Sequence, residues 1–394
     1  MIELLRRYPL PAIVVAQLFG TSLWFSINGV WLSFSRELGL NESDLGQLTL
    51  AVQAGFIAGT LTLAMTGLAD RFGASRIFLV ASLLGALTNA GFVLAANQAL
   101  PGLLLRFATG LCLAGIYPLG MKLVIAWTPR YAGSALAWLV GMLTLGTALP
   151  HLMRGATLGL PWEWSLLGAS LLAVVGGGLV FLLGDGPHLP ASSGPVPLRQ
   201  GLAALRVPRF RAVAGGYFGH MWELYAFWTL TPLLVARELD RLGAPDALIS
   251  WLAFAIIGIG AAGCVLGGAL SRSKGSEWVA RYALTTSGLI CLGYPWLAGF
   301  SPVLLMVLLL VWGLSVVADS PQFSALAAAA APRESVGSSL AVMNAVGFGL
   351  TLPAIWLTSG LWDELGAWVS LLLVPGPVFG LWSLARGKPP TGSV

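Results

Sequence analysis

The sequence predicts an all-α membrane protein with twelve transmembrane helices in two pseudo-symmetric six-helix bundles. Three observations predict this fold: a very apolar composition, twelve apolar runs of membrane-spanning length, and features that recur about 200 residues apart. The 394 residues are 57% hydrophobic and only 9% charged, with a mean hydropathy of +0.84. Because soluble domains carry about 25% charged residues, this composition indicates a membrane protein.

The apolar runs have the length of membrane-spanning helices, about 17 to 25 residues. Lipid cannot satisfy backbone polar groups, and the runs are longer than barrel strands and do not alternate, so we predict helices. The predicted spans are residues 10–32, 46–66, 77–96, 101–125, 133–153, 164–184, 212–235, 248–270, 278–299, 302–325, 337–358 and 366–385.

The basic residues lie mostly in the loops and tails on the side of the two termini. The loops on the other side hold only Arg36, Arg154, Arg237 and Arg241. This positive-inside bias predicts that both termini are cytoplasmic. We expect a multi-pass protein of a plasma membrane, in a bacterium the inner membrane, and a monomer. The net charge of +5 therefore orients the chain in the lipid bilayer, and no nucleic-acid partner is expected.

A Pro-, Gly- and Ser-rich segment divides the chain. We predict an amino-terminal bundle over residues 1–184, a cytoplasmic linker over 185–211 and a carboxy-terminal bundle over 212–394. Short motifs recur in order across this linker: Phe-Gly at 19 and 218, Arg-Glu-Leu at 36 and 237, and prolines at 118, 129 and 150 with counterparts at 321, 332 and 353. Such a duplication is expected when two bundles rock against each other around a central site.

The segment between spans two and three reads TGLADRFGASR, residues 66–76. It resembles the signature of the major facilitator superfamily, Gly-x-Leu-Ala-Asp-Arg-x-Gly-Arg-Lys, with Thr66 in place of the first glycine and the basic pair reduced to Arg76. Arg106 and Gly110 are similar to the family's motif in span four. The family's antiporter motif in span five is met only in part by Gly141, Gly146 and Pro150, without its Gly-Pro pair.

The resemblance implies a transporter in which spans one, four, seven and ten line a central cavity. It also implies that Asp70 contacts the start of span eleven, near residues 336–339, and closes the cytoplasmic side in one state. The alternative is a local ion pair of Asp70 with Arg71 or Arg76. Asp70, Arg71 and Lys122 are therefore our predicted gating residues.

Ionisable residues inside the spans indicate the site, because such residues normally face water or a partner. Glu223 is predicted to bind the coupling proton or the substrate near the middle of the bilayer, with His220 on nearly the same face. The alternative is a permanently paired structural carboxylate. A His-x-x-Glu metal site is not expected, because no second copy of the pair occurs. We predict no metal and no cofactor.

Two further spans carry buried charge. Arg106, with Tyr117 on almost the same face, is predicted to bind a carboxylate on the substrate or on Glu223. The alternative is an arginine bonded to backbone carbonyls of neighbouring helices. Asp319 is predicted to be a second titrating group or an inner-gate partner of Lys122, although snorkelling of Lys122 to the membrane surface would also explain that lysine.

Span one carries no charge but has a polar stripe of helical spacing, formed by Gln17, Thr21, Trp24 and Asn28. We predict that the stripe lines the cavity; the alternative is hydrogen bonding between helices. Phe227 is predicted to line the site together with deeply placed tryptophans.

These features predict a secondary active transporter, coupled to protons by symport or antiport, for a small organic solute of anionic or zwitterionic character. The first alternative is an efflux antiporter for drugs or amphipathic compounds. A membrane-embedded enzyme or a non-transporting sensor are alternatives of other classes. We expect no enzyme, since no nucleophile or metal constellation is found, and the chain has no ATP-binding Gly-x4-Gly-Lys-Ser/Thr loop.

Overall fold

The computed structural model describes residues 2–188 and 198–387, and the side chains of Ala69, Asp70 and Leu198 lie outside this description. The described chain is helical, with no β-strand in these ranges. Its twelve long helices are α1 Pro9–Leu38, α2 Glu42–Thr66, α3 Ala74–Ala95, α4 Ala99–Trp127, α5 Ala132–Ala156, α6 Glu163–Leu183, α7 Pro208–Leu242, α8 Ala247–Lys274, α9 Ser276–Leu297, α10 Pro302–Ala330, α11 Val336–Gly360 and α12 Trp362–Arg386.

Ten of these helices in the described ranges are long and apolar enough to cross a membrane. The other two, α7 and α9, have 35 and 22 residues and pack inside the same bundle. The predicted all-α membrane fold is confirmed. The helix α7 is longer than its predicted span, because charged residues such as Arg209 and Arg241 extend it beyond the apolar run. Hydropathy detects only the part of a helix that faces hydrocarbon.

Three of the long helices are interrupted near their middle, and α12 passes through a 3-10 segment at Gly366–Leu373. In α1 the break lies at residues 22–25, in α4 at 114–116 and in α10 at 316–319. A break frees backbone N–H and C=O groups, which can be satisfied in a membrane only where protein or a water-filled cavity surrounds them. Helices broken in this way are typical of transport folds.

The helices form two halves of six with matching contacts. Helix α2 packs on α4 in the first half and α8 on α10 in the second. Both pairs meet through reciprocal glycines: a Cβ at Gly55 or Gly110 would strike the partner backbone, and so would one at Gly263 or Gly313. Small residues let helices approach closely in lipid, where no hydrophobic effect drives association. The halves meet each other through α5 against α8 and α2 against α11.

Both ends of the described chain lie at one end of the bundle, which we call the terminal end. The carbonyl of Gly387 accepts a hydrogen bond from Arg209 at the start of α7, and the short helix Ile2–Arg7 packs on α6. A seven-residue helix, Leu198–Ala204, lies within the predicted linker and packs on α11. The linker boundaries stay a prediction, and residues 189–197 lie outside the described chain.

The signature loop between α2 and α3 has the turn geometry that its glycines predict. Gly67 has a φ of 64°, a left-handed conformation that costs glycine little. A Cβ at Gly73 would strike the carboxylate of Asp185, which accepts a hydrogen bond of 2.8 Å from the backbone N–H of Ser75. This contact caps the start of α3 and ties the loop to the end of α6.

Candidate functional site

A cavity lies between the two halves, and we call it the central cavity. Its lining comes from α4, α5, α7, α10 and α11: Tyr117, Met121, Val140, Leu143, Tyr217, Met221, Leu224, Tyr225, Trp228, Val317, Ser320, Ser324, Asn344 and Phe348. The cavity measures about 40 Å³, which is room for a few water molecules, whereas organic ligands occupy pockets of about 300 to 1,000 Å³. An organic solute can therefore enter only when the halves move apart.

The wall of the central cavity is aromatic and hydroxyl-bearing, and it is uncharged. No Asp, Glu, Lys, Arg or His belongs to the lining in the described chain. Four polar groups of the lining make no hydrogen bond to protein in the described part of the chain: the hydroxyls of Tyr117, Tyr217 and Tyr225 and the amide of Asn344. These groups are available to a solute. Ser324, at the terminal end of the lining, is exposed, so the lining reaches the protein surface toward that end.

An aromatic layer separates the central cavity from the opposite end of the bundle. It consists of Trp24, Phe56, Tyr225 and Phe348, two residues from each half. Phe56 lies 4.6 Å from both Trp24 and Phe348, and Tyr225 lies 5.4 Å from Phe348, between ring centroids. Rings at these distances attract one another by about 0.5 to 1.5 kcal/mol per pair. The layer therefore holds the halves together on that side.

A polar chain runs beside the aromatic layer from α1 through α2 to α11. The indole N–H of Trp24 donates to the side-chain oxygen of Gln53 at 2.7 Å. The amide of Gln53 donates to the hydroxyl of Thr351 at 2.9 Å. All three residues are buried. Opening the bundle at the end opposite to the termini must break this chain.

His220 and Asp319 form a buried pair directly behind the cavity wall. Nδ1 of His220 lies 2.8 Å from Oδ1 of Asp319, with side-chain exposures of 0% and 1%. The distance suits an ion pair, although the atoms are not aligned as a hydrogen bond. Val317 and Ser320 line the cavity on either side of Asp319, as do Tyr217 and Met221 beside His220. The sequence placed both residues at the site, and the structure brings them together.

Asp319 also lies at the break of α10, between Pro302–Ser315 and Ser320–Ala330. A buried carboxylate costs several kcal/mol unless it is paired or protonated. The pair therefore lies where the helix is already discontinuous.

Glu223 lies one helical turn beyond His220 and faces α9 and α10, away from the central cavity. Its carboxylate accepts hydrogen bonds from the indole N–H of Trp312 at 2.6 Å, the hydroxyl of Ser287 at 2.9 Å and the thiol of Cys291 at 3.3 Å. None of these donors is a cation. The ring of Phe227 packs against Trp312 with centroids 4.5 Å apart, so it too packs within the second half.

Arg106 donates hydrogen bonds to backbone carbonyls of a neighbouring helix, which was the alternative to its predicted role in binding a carboxylate. Its guanidinium donates to the carbonyls of Trp24 at 2.6 Å and Leu23 at 3.3 Å, and to Ser26 Oγ and Asn89 Oδ1, both at 3.1 Å. The two carbonyls belong to the break in α1. Arg106 is fully buried and lies in the other half from Glu223, so the predicted contact of these two side chains is absent from the described residues.

The polar stripe of α1 contacts other helices and not the central cavity. Thr21 donates to the carbonyl of Leu143 on α5 at 3.4 Å, and Asn28 donates to the hydroxyl of Thr49 on α2 at 3.1 Å. The amide of Gln17 packs against Gly120 of α4, and its polar atoms have no partner in the described chain. Trp24 reaches the site only as part of the aromatic layer. These contacts correspond to the interhelical alternative.

The predicted gating residues lie toward the terminal end. The side chain of Asp70 lies outside the described residues, so its predicted contact with the start of α11 stays a prediction. Arg71 is exposed at the end of the helix Leu68–Arg71, and Lys122 is half-buried on α4.

Most of the cavity wall was missed by sequence reasoning, which named only Tyr117 and, among the deeply placed tryptophans, Trp228. Tyr217, Met221, Leu224 and Trp228 are spaced by four, three and four residues on α7. That is the spacing of the α1 stripe, moved by the internal repeat distance. Applying the repeat to the stripe would have found this face.

Comparisons with known proteins agree with this geometry. Residues 13–355 match the family model described as Major Facilitator Superfamily. A comparison with curated protein sequences finds no match. A solved structure of a bacterial homolog of the human lysosomal transporter Spinster, inward-facing and occupied, is 16% identical with a TM-score of 0.66, covering 97% of this chain and 96% of that one.

Two further solved structures have the same fold. The nucleoside transporter NupG is 13% identical with a TM-score of 0.70, covering 96% of this chain and 100% of its own. The human organic anion transporter MFSD10 is 15% identical with a TM-score of 0.70, covering 97% and 99%. At these identities the similarity shows the fold of the chain.

Proposed function

Because the chain belongs to the major facilitator superfamily, we propose that it is a proton-coupled secondary active transporter for a small, ring-bearing organic solute. The observation that carries the proposal is the position of the His220–Asp319 pair, 2.8 Å apart and buried, directly behind an uncharged cavity between the halves. A solute site and a titratable pair that share one wall can bias the same movement.

The solute is proposed to be neutral or amphipathic. Arg106, which favoured an anionic or zwitterionic solute in the sequence, is bonded to α1, and His220 faces Asp319. The wall instead offers tyrosine, serine and asparagine groups for hydrogen bonds and aromatic faces for a ring. NupG, which transports nucleosides, is a structural neighbour; nucleosides have this combination of a ring and hydroxyl groups, and they enter the test panel for that reason.

The proposed cycle uses the contacts between the halves. In the present arrangement the aromatic layer and the Trp24–Gln53–Thr351 chain close one end. Opening that end breaks those contacts and closes the terminal end, where we propose that Asp70 meets the start of α11. Gain of a proton by the His220–Asp319 pair changes its net charge by one unit at the break of α10 and so changes the relative free energy of the two states. With both termini in the cytoplasm, the terminal end is the inner side.

Export of amphipathic compounds is the second candidate, favoured by the aromatic wall. Tyr225, Trp228 and Phe348 offer contact area without requiring a charge on the solute. In liposomes, import by symport would accumulate solute under an inward proton gradient. Export by antiport would accumulate solute under an outward proton gradient.

Uptake by purified protein in liposomes tests the proposal. A thermal-shift screen first selects a solute, because a ligand that binds only the folded state stabilises it; nucleosides, sugars, aromatic amines and organic acids form the panel. Accumulation of the selected solute should then require a pH gradient and collapse with a protonophore. Transport that runs only downhill and ignores the gradient, across the whole panel, would overturn proton coupling.

A further inference from the structure

A second cavity opens at the end of the bundle opposite to the termini, beyond the aromatic layer. We call it the vestibule. It measures about 210 Å³, and its polar lining comes from both halves: Asn28, Ser33, Arg36, His151, Arg154 and Asp246. This volume is about five times that of the central cavity and is enough for a small ligand with its water.

Arg154 gives the vestibule a positive charge with unused hydrogen-bond donors. Its guanidinium donates to the carbonyl of Leu160 and to the hydroxyl of Ser33, both at 2.8 Å. A guanidinium has five N–H donors, so three remain. No carboxylate lies within ion-pair distance of Arg154 among the described residues; Glu163 acts on it only from farther away.

His151 adds a buried polar atom with no protein partner. The residue is only 1% exposed and lines the vestibule, and its Nε2 makes no hydrogen bond in the described chain. A buried polar group without a hydrogen-bond partner is destabilising. An occupant of the vestibule would remove this cost.

Arg36 and Asp246 join the two halves at the mouth of the vestibule. Nη2 of Arg36 lies 2.6 Å from Oδ2 of Asp246, and the side chains are 66% and 58% exposed. Exposed ion pairs contribute little to stability. An anion in the vestibule can therefore compete with Asp246 for Arg36 at small cost.

We infer that the vestibule is a binding site for a small anion with carboxylate or phosphate oxygens, held by Arg154 and His151, and that this anion displaces Asp246 from Arg36. The site is separate from the central cavity. Its occupant weakens an ion pair between the halves, so binding favours opening at that end. The inference does not require the proposed solute, because it is tested by binding and not by transport.

The test measures binding of inorganic phosphate and of acetate by isothermal titration, with the full chain in nanodiscs of phosphatidylcholine. Arg154→Gln should weaken binding by about tenfold, since hydrogen bonds to charged groups contribute about 1.5 to 3 kcal/mol. Asp246→Asn should strengthen it by up to about fivefold, because the competitor for Arg36 loses its charge. Arg130→Gln, which removes an exposed arginine at the terminal end, should leave binding unchanged.

Arg154→Gln should weaken anion binding and Asp246→Asn should strengthen it, so the inference can still be tested if one variant folds poorly. His151→Leu, which should weaken binding, is a third variant. A second set of nanodiscs contains phosphatidylglycerol. If phosphate binding is lost there, a lipid headgroup fills the same site; if it persists, the occupant is a free anion. Absence of binding in phosphatidylcholine, or affinities that ignore Arg154 and Asp246, would overturn the inference.

Discussion

The two halves of the molecule bury charge in opposite ways. Apart from His151 at the vestibule, the first half buries Arg106, a permanent cation whose partners are neutral oxygens. The second half buries His220, Glu223 and Asp319, which can gain or lose a proton. A guanidinium cannot be deprotonated under ordinary conditions, so its hydrogen bonds persist throughout a cycle. In the first half this charge holds a broken helix, whereas in the second half, under our proposal, the His220–Asp319 pair couples protons to transport.

The largest effect is expected at Arg106. Arg106→Met removes four hydrogen bonds and leaves the carbonyl of Trp24 without its donor at the break of α1, while Ser26 still donates to the carbonyl of Leu23. We expect a loss of about 3 kcal/mol or more in the free energy of unfolding, since each hydrogen bond to a charged group contributes about 1.5 to 3 kcal/mol. Denaturant titration in detergent measures it.

Arg130→Met is the matched control for Arg106→Met, because Arg130 is exposed, and it should change stability little. If Arg106→Met kept the free energy of unfolding of the wild type but lost solute binding, the guanidinium would bind the solute. The contrast between the two halves would then be wrong.

A smaller effect, on the KM of transport, is expected from a substitution in the cavity wall. Tyr217→Phe removes a hydroxyl that has no partner in the described protein, so folding should be unaffected. If the hydroxyl binds the solute, KM should rise about two- to tenfold, the equivalent of about 0.5 to 1.5 kcal/mol. Uptake in liposomes measures it. Tyr282→Phe, at an exposed tyrosine of α9, should leave KM unchanged; equal KM values in both variants would remove Tyr217 from the site.

The smallest effect is expected at Glu223. Glu223→Gln keeps an oxygen for the indole N–H of Trp312 and removes a buried charge whose hydrogen-bond donors are neutral. Replacing buried charge by a neutral group of similar shape is often close to neutral for stability, and we expect a change of less than about 1 kcal/mol. The pH profile of uptake should stay that of the wild type. A shifted profile would make Glu223, and not the pair beside the cavity, the coupling acid.

The sequence predicted the fold because helix length and apolarity are local properties and because the duplication is visible as repeated motifs. Because buried charge is rare in lipid, the sequence also singled out His220 and Asp319, which lie beside the central cavity; Tyr117, predicted from the face that it shares with Arg106, lines that cavity. The sequence could not show which side chains each of these buried residues contacts. Helical periodicity shows which residues share a face, but the rotation of each helix decides whether that face meets a cavity or a neighbour.

Arg106 shows this limit most clearly. Its partners depend on the break at residues 22–25 of α1, and nothing in that apolar stretch marks a break. The vestibule was missed for a related reason: Arg36 and Asp246 are 210 positions apart and meet only when the two halves are assembled.

Proton movement during solute transport tests the central claim most directly. A pH-sensitive dye inside liposomes reports protons while labelled solute reports transport, for the wild type and for Asp319→Asn. We expect the wild type to move protons together with solute, in the same or the opposite direction. Asp319→Asn should still exchange solute across the membrane but should neither move protons nor accumulate solute. Proton movement of wild-type size in Asp319→Asn would contradict the account.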